Sequence, residues 1–89
     1  MRWTSQGLGG LPAWREWVEE GEREIEAAGG RLIEAWVTLG RYDVVEVFEA
    51  PDDETAAAVL MRLQRRGGVH TETLRAFSRE EAERIIRRL

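Results

Sequence analysis

At 89 residues and 10.2 kDa the chain has room for one domain and not for two separate cores. Its net charge of -4, with acidic and basic residues interspersed, excludes the basic stripe of a nucleic-acid binder; all 13 basic side chains are Arg, a bias compatible with a thermophile. The lack of cysteine excludes disulfides, thiolate metal ligands and a Cys nucleophile, and no apolar run approaches the roughly 20 residues of a membrane helix.

Trp3 and Thr4 have strand-favouring shapes, so Met1 to Thr4 is expected to end a strand, and the glycines of Ser5 to Gly10 predict a loop. Pro12 suits an opening helical turn, and Leu11, Trp14, Val18, Gly21, Ile25 and Ala28 recur at spacings of three and four, which predicts a first helix. Gly21 lies on its apolar face, where a missing side chain would admit a sheet closely, and Gly29 and Gly30 end the helix.

Arg31 to Leu39 and Asp43 to Ala50 are rich in β-branched and aromatic residues and flank a turn centred on Gly40, the pattern of an antiparallel hairpin. Val45 and Val47 fall on one face of its second strand, Val44 and Phe48 on the other. Both faces therefore need cover, one from helices and one from something else. Asp52 is the expected N-cap of a second helix with Ala56, Val59, Leu60 and Leu63 inward, ended by Gly67 and Gly68. Val69 to Phe77 reads as a strand, and Ser78 with Glu81 forms a capping box for a last helix whose apolar side is Ala82, Ile85, Ile86 and Leu89.

This order, βαββαβ plus a C-terminal helix, predicts an α+β domain over residues 1–89 with an antiparallel, ferredoxin-like sheet and helices on one face. The uncovered face would be buried by a second sheet about 10 Å away. A domain this small buries only roughly 60–65% of its unfolded surface, which also favours homo-oligomers.

The tract Thr38, Leu39, Gly40, Arg41, Tyr42, Asp43, then Glu49, Ala50, Pro51, Asp52, Asp53, Glu54, and later Thr71 to Phe77 resembles the GYD domain family, as do Trp3, Thr4, Gln6 and Gly7. The resemblance runs over nearly the whole chain and implies a ferredoxin-like fold of the dimeric α+β barrel kind; it implies no established activity. Proteins of that kind usually carry several more strand residues before the Trp-Thr pair, whereas only Met1 and Arg2 precede Trp3 here. In this topology the first strand is central, so a short one would leave backbone groups of both neighbours unpaired, at roughly 1–3 kcal/mol for each one buried. The expectation is a native start further upstream, or another chain filling the gap.

No catalytic motif stands in the sequence, so the candidate site is a set of polar and aromatic residues. Tyr42 and Asp43 beside the glycine turn could orient a ligand or relay a proton, or could cap the turn and pack on the sheet edge. Thr71, Thr73 and Arg75 alternate on the expected last strand, where Arg75 would anchor an anion or pair with Glu46, Glu49 or a partner's acid. His70, the lone histidine, has no second metal ligand nearby and is expected at the surface, with Glu72 on its strand face as a weak acid–base partner. Of the tryptophans, Trp14 and Trp36 suit packing or an aromatic wall, and Trp17, beside the core stripe, is an interface candidate. The glycine pairs lack phosphate-loop or dinucleotide spacing.

The expected function is a cytoplasmic, homo-oligomeric small-molecule-binding module, with Trp3, Trp36, Thr38 and Tyr42 as walls and Arg75 fixing an acidic or aromatic ligand. No metal or other cofactor, nucleic acid or membrane is expected to bind. The alternatives are a cofactor-independent enzyme of monooxygenase or isomerase type, with Tyr42, Asp43 and His70 moving protons, and a purely structural assembly unit. The enzyme reading rests on architecture alone, which does not carry activity with it, and the structural unit needs no pocket at all.

Overall fold

The strongest pairing is also the most local. In the structure, a computed structural model describing residues 1–89, the elements are β1 (Arg2–Trp3), α1 (Ser5–Gly9), a 3-10 turn (Leu11–Ala13), α2 (Trp14–Ala27), β2 (Arg31–Val37), β3 (Val44–Glu49), α3 (Asp53–Arg65), β4 (Val69–His70) and α4 (Arg79–Ile86). The chain is α+β, with β2 and β3 forming one antiparallel pair and β1 and β4 another.

The hairpin runs from Arg31 opposite Glu49 to Val37 opposite Val44, with a bulge between Leu32 and Glu34. Its turn is closed twice: the Thr38 N–H donates to the Asp43 carbonyl at 2.9 Å, and the Thr38 hydroxyl donates to the Tyr42 carbonyl at 2.7 Å. Gly40 supplies the left-handed residue, with φ 111°. Val44 is fully buried and Phe48 half-buried on the helix side, whereas Val45 and Val47 face away from it, as their alternation requires.

Ile25 of α2, Val44, Val59 and Leu60 of α3, and Val69 of β4 make the buried core. The Asp52 side chain caps α3 by accepting from the Thr55 N–H at 2.7 Å. At the other end of α3, Arg66 reaches across to Glu20 at 3.1 Å and to Glu24, tying α3 to α2. The left-handed glycines Gly29 and Gly67 both have φ 89°. No helix is long and apolar enough to cross a membrane.

Several expectations need correction. Ser5 to Gly10 is not a loop: Thr4 caps a short helix by accepting from the Gly7 N–H at 3.1 Å, and Gly7 is needed because a Cβ there would overlap the Gly68 carbonyl. The first long helix begins only at Trp14, after the 3-10 turn. A Cβ on Gly21 would meet nothing within 4 Å, so this glycine admits no sheet.

The largest correction concerns Val69 to Phe77, where strand pairing stops at His70. Pairing needs a neighbour, and β1 offers only Trp3 opposite Val69 and Arg2 opposite His70. Residues 72–77 make no backbone–backbone hydrogen bond, so Thr71, Thr73 and Arg75 do not sit on a paired strand. The capping box of α4 forms as expected, with Ser78 and Glu81 bonding reciprocally. Its apolar side nevertheless stays open, with Ile86 62% exposed.

β1 touches β3 through its first residue. The Met1 ammonium donates to the Val44 carbonyl at 2.6 Å, while the Met1 carbonyl accepts from Val44 at 3.2 Å and Asp43 at 2.9 Å. The two pairs are separate two-stranded sheets that meet at these Met1 contacts. The molecule is open: it measures 48 × 30 × 19 Å with a radius of gyration of 14.4 Å, against about 12 Å for a globular domain of this length. It exposes 6937 Å², where a folded chain of its mass exposes roughly 5,300 Å².

Candidate functional site

The hairpin turn and the N-terminal residues meet at one end of the sheet, and most of the candidate polar residues gather there. The Asp43 carboxylate accepts from the Trp3 N–H at 2.9 Å, the Thr4 hydroxyl donates to the Gly67 carbonyl at 2.5 Å, and the Thr38 hydroxyl is spent inside the turn. Asp43 is thus a strap between β1 and the hairpin, and a carboxylate already holding a backbone amide is poorly placed to act as a base. Tyr42 donates to Glu72 at 2.7 Å and has the Arg41 guanidinium 5.5 Å from its ring centre. The hydrogen bond to Glu72 holds the phenol above its ordinary range, which favours a proton kept rather than released. His70 is exposed on β4 opposite Arg2.

The aromatic residues divide between two places. Trp3 packs edge-on against Trp14 and Trp17, with ring centres 6.1 and 5.2 Å apart, while Trp14 and Trp17 stack at 5.5 Å. Each such pair contributes about 0.5–1.5 kcal/mol beyond burial, so this cluster pins β1 to α2. Trp17 is thus half-buried and engaged in packing within the chain. Trp36 stands elsewhere, opposite Val45 on the outer sheet face. Trp36 is 49% exposed and Val45 and Val47 are each 39% exposed, an apolar strip that no helix covers.

Arg75 lies apart from the turn cluster. Its Nε is 3.3 Å from an Asp53 oxygen, a guanidinium nitrogen donates to the Ala76 carbonyl at 2.7 Å, and its guanidinium lies 4.7 Å from the Phe77 ring centre. The expected partners Glu46 and Glu49 are not the ones it takes; Glu49 pairs with Arg31 at 3.3 Å. Asp53 wins because the head of α3 faces the free segment.

Glu46 is a residue that sequence reasoning passed over as a mere partner. It shares the helix-facing side of β3 with Val44 and Phe48, and burial holds its carboxyl above the usual range, with the N-terminal ammonium pulling the other way. A charged residue in the inward phase of a strand pattern was the available signal.

One cleft of about 490 Å³ runs between α2 and β2, bounded by Trp14, Val18, Leu32 and Ile33 among others. A smaller one of about 210 Å³ lies against Trp3, Trp14, Trp17, Leu63 and Arg66. Of the expected ligand residues only Trp3 lines either cleft. No three His, Asp or Glu side chains converge as a metal site requires.

A protein of Thermus thermophilus named glutamine synthetase and cystathionine beta-lyase binding protein is 38% identical over 75 residues, which is 83% of this chain and 79% of the relative. No solved structure matches the chain. The family model described as GYD domain matches residues 1–86, spanning β1, the hairpin, α3 and α4 alike, and the chain belongs to the GYD domain family.

Proposed function

We propose that this chain is a protein-binding module that docks other proteins on the outer face of its sheet. The observation that carries the reading is the uncovered strip of Trp36, Val45 and Val47 on a rigid hairpin. Exposed apolar surface of this kind, rimmed here by Glu34 and Glu49 and containing an aromatic anchor, is how protein interfaces are built. The Thermus relative, named for binding glutamine synthetase and cystathionine beta-lyase, supports the same reading and supplies two partners to try. A small-molecule role has less support, because Tyr42, Asp43 and Arg75 are each engaged in internal bonds.

A second copy of the chain competes for the same face. The meeting of the two strand pairs at Met1 supports a ferredoxin-like sheet, and two such sheets meeting on their outer faces would make a dimeric α+β barrel. The two uses exclude each other at any one moment, so partner binding would compete with self-association.

The test is light scattering and calorimetry with glutamine synthetase and cystathionine β-lyase from the same organism, using the natural chain and Val47→Asp. A complex with either enzyme that weakens at least tenfold in the variant supports the proposal. Failure of both enzymes to bind refutes it, and a dimer lost in the variant without any enzyme binding assigns the face to self-association.

A further inference from the structure

The last helix and the cleft beside β2 are two exposed surfaces of matching character. α4 buries none of its residues, and Ile85 and Ile86, both exposed, share one face with Ala82 at spacings of three and four. A helix of 8 residues is not stable on its own hydrogen bonds, so its apolar face needs something to pack against. The segment leading to it, residues 72–77, makes no backbone–backbone hydrogen bond and is tied to the body by side chains, Glu72 to Tyr42 and Arg75 to Asp53.

The cleft of about 490 Å³ is bounded entirely by α2 and β2. Its apolar lining comes from Trp14, Val18, Leu32, Ile33 and Ala35, with Ile33 exposed at the bulge of β2. An apolar groove beside a helix is a seat for the apolar face of another helix.

Charge decides which helix. Around the cleft stand the carboxylates of Glu19, Glu22 and Glu34 against a single guanidinium, Arg15, and none of the three acids makes an ion pair within the chain. On α4 the balance is reversed. Arg79 and Arg88 flank the apolar face on its two sides and are unpaired, whereas the acids on the same flanks are engaged: Glu81 accepts from the Ser78 amide at 3.1 Å, and Glu83 pairs with Arg87 at 3.3 Å. Guanidinium groups bind carboxylates in a forked geometry, and their long stems reach a rim while the helix face sits in the groove. Within one chain α4 follows β4 in one sheet, and the cleft lies beside β2 in the other.

We propose that α4 of one copy lies in the α2–β2 cleft of a second copy, which returns its own α4 in exchange. Every copy carries both halves of the contact, so a two-fold pair makes it twice and leaves neither half uncovered. Ile85 and Ile86 enter against Val18, Leu32 and Ile33, and the flanking arginines meet the acidic rim. The pairing makes no use of Trp36, Val45 or Val47. It therefore goes beyond the protein-binding reading and is compatible with it, since a pair built this way still presents two outer faces.

The test is light scattering on the whole chain and on Ile86→Asp, Ile33→Asp and Val47→Asp. The expected result is a dimer whose dissociation constant rises at least tenfold in each isoleucine variant and is unchanged in Val47→Asp. Both isoleucines are exposed in the single chain, so circular dichroism of the variants stays that of the natural fold. An equal mixture of Ile86→Asp and Ile33→Asp copies pairs at least tenfold more tightly than either variant alone, because one supplies an intact cleft and the other an intact helix.

A natural chain that stays monomeric overturns the inference, and so does a mixture that pairs no more tightly than its parts. A dimer broken by Val47→Asp and by neither isoleucine variant places the pairing on the outer face and overturns it too. So does a monomer whose binding to glutamine synthetase or cystathionine β-lyase is lost in Ile86→Asp, because α4 then belongs to the enzymes. Failure of both enzymes to bind, with the dimer and its rescue as described, removes the protein-binding reading and supports this one.

Discussion

The β2–β3 hairpin and the β1–β4 pair are built from similar residues, yet one is paired along its whole length and the other for two residues on each strand. The hairpin closes a short loop around Gly40, so its ordering cost is low and is met locally. The β1–β4 pair joins the two ends of the fold and depends on side-chain straps: Asp43 on the Trp3 amide, Thr4 on the Gly67 carbonyl and the cluster of Trp3, Trp14 and Trp17. A strand sequence is therefore only half of a strand. The other half is a neighbour with free backbone groups, and Val69 to Phe77 outruns the neighbour it has.

The comparison can be broken most sharply at its glycines. Gly7 lets β1 and α1 approach the Gly68 carbonyl, and Gly30 plays the same part between α2 and the Glu49 carbonyl at the hairpin. Either Gly→Ala change forces backbone apart and should cost about 2–3 kcal/mol, with Tm falling by about 10 °C or more for a domain of this size. Gly7→Ala should release β1 and β4 while the hairpin amides stay protected from exchange; loss of protection throughout would mean that the two regions unfold as one.

Asp43→Ala removes the strap without touching either strand. It leaves the Trp3 N–H without its partner, and a loss of about 1–2 kcal/mol in denaturant unfolding is expected, with Asp43→Asn retaining most of the stability because its side-chain oxygen still accepts. Equal losses in the two variants would assign Asp43 a role other than holding β1.

Gly21→Ala should act in the opposite direction. Nothing lies within reach of the added methyl, so the gain in helix propensity, about 1 kcal/mol, appears as a higher Tm. A lower Tm would show that another copy of the chain packs against Gly21 in solution.

The smallest effect expected is a pH dependence at Glu46. Burial raises its carboxyl in the folded state, so the fold binds that proton more tightly than the unfolded chain does. The associated stability is complete below the unfolded pKa and is lost as pH rises through the folded one. Glu46→Gln, uncharged throughout, should therefore match the natural chain in acid and exceed it in Tm at neutral pH. Asp52 and Glu81 work in the other sense: hydrogen bonds from the Thr55 and Ser78 amides hold their carboxyls low, and the stability they lend is lost as pH falls through those depressed values. A difference between variant and natural chain that stayed constant across this range would remove Glu46 titration from the account.

What the sequence determined by itself was everything governed by near neighbours. The helix caps at Asp52 and Ser78, the left-handed glycines at positions 29, 40 and 67, the hairpin and the opposed faces of Val44 and Val45 all follow from contacts a few residues apart, where spacing and geometry are tied together. Tertiary structure alone decided what required a distant partner. It gave Arg75 to Asp53, Tyr42 to Glu72 and the Trp3 amide to Asp43, gathered three tryptophans on one side of β1, and left Gly21 facing open space. It also ended the last strand at His70, because a backbone hydrogen bond is settled by which groups lie opposite each other in space, and no local pattern of side chains records that.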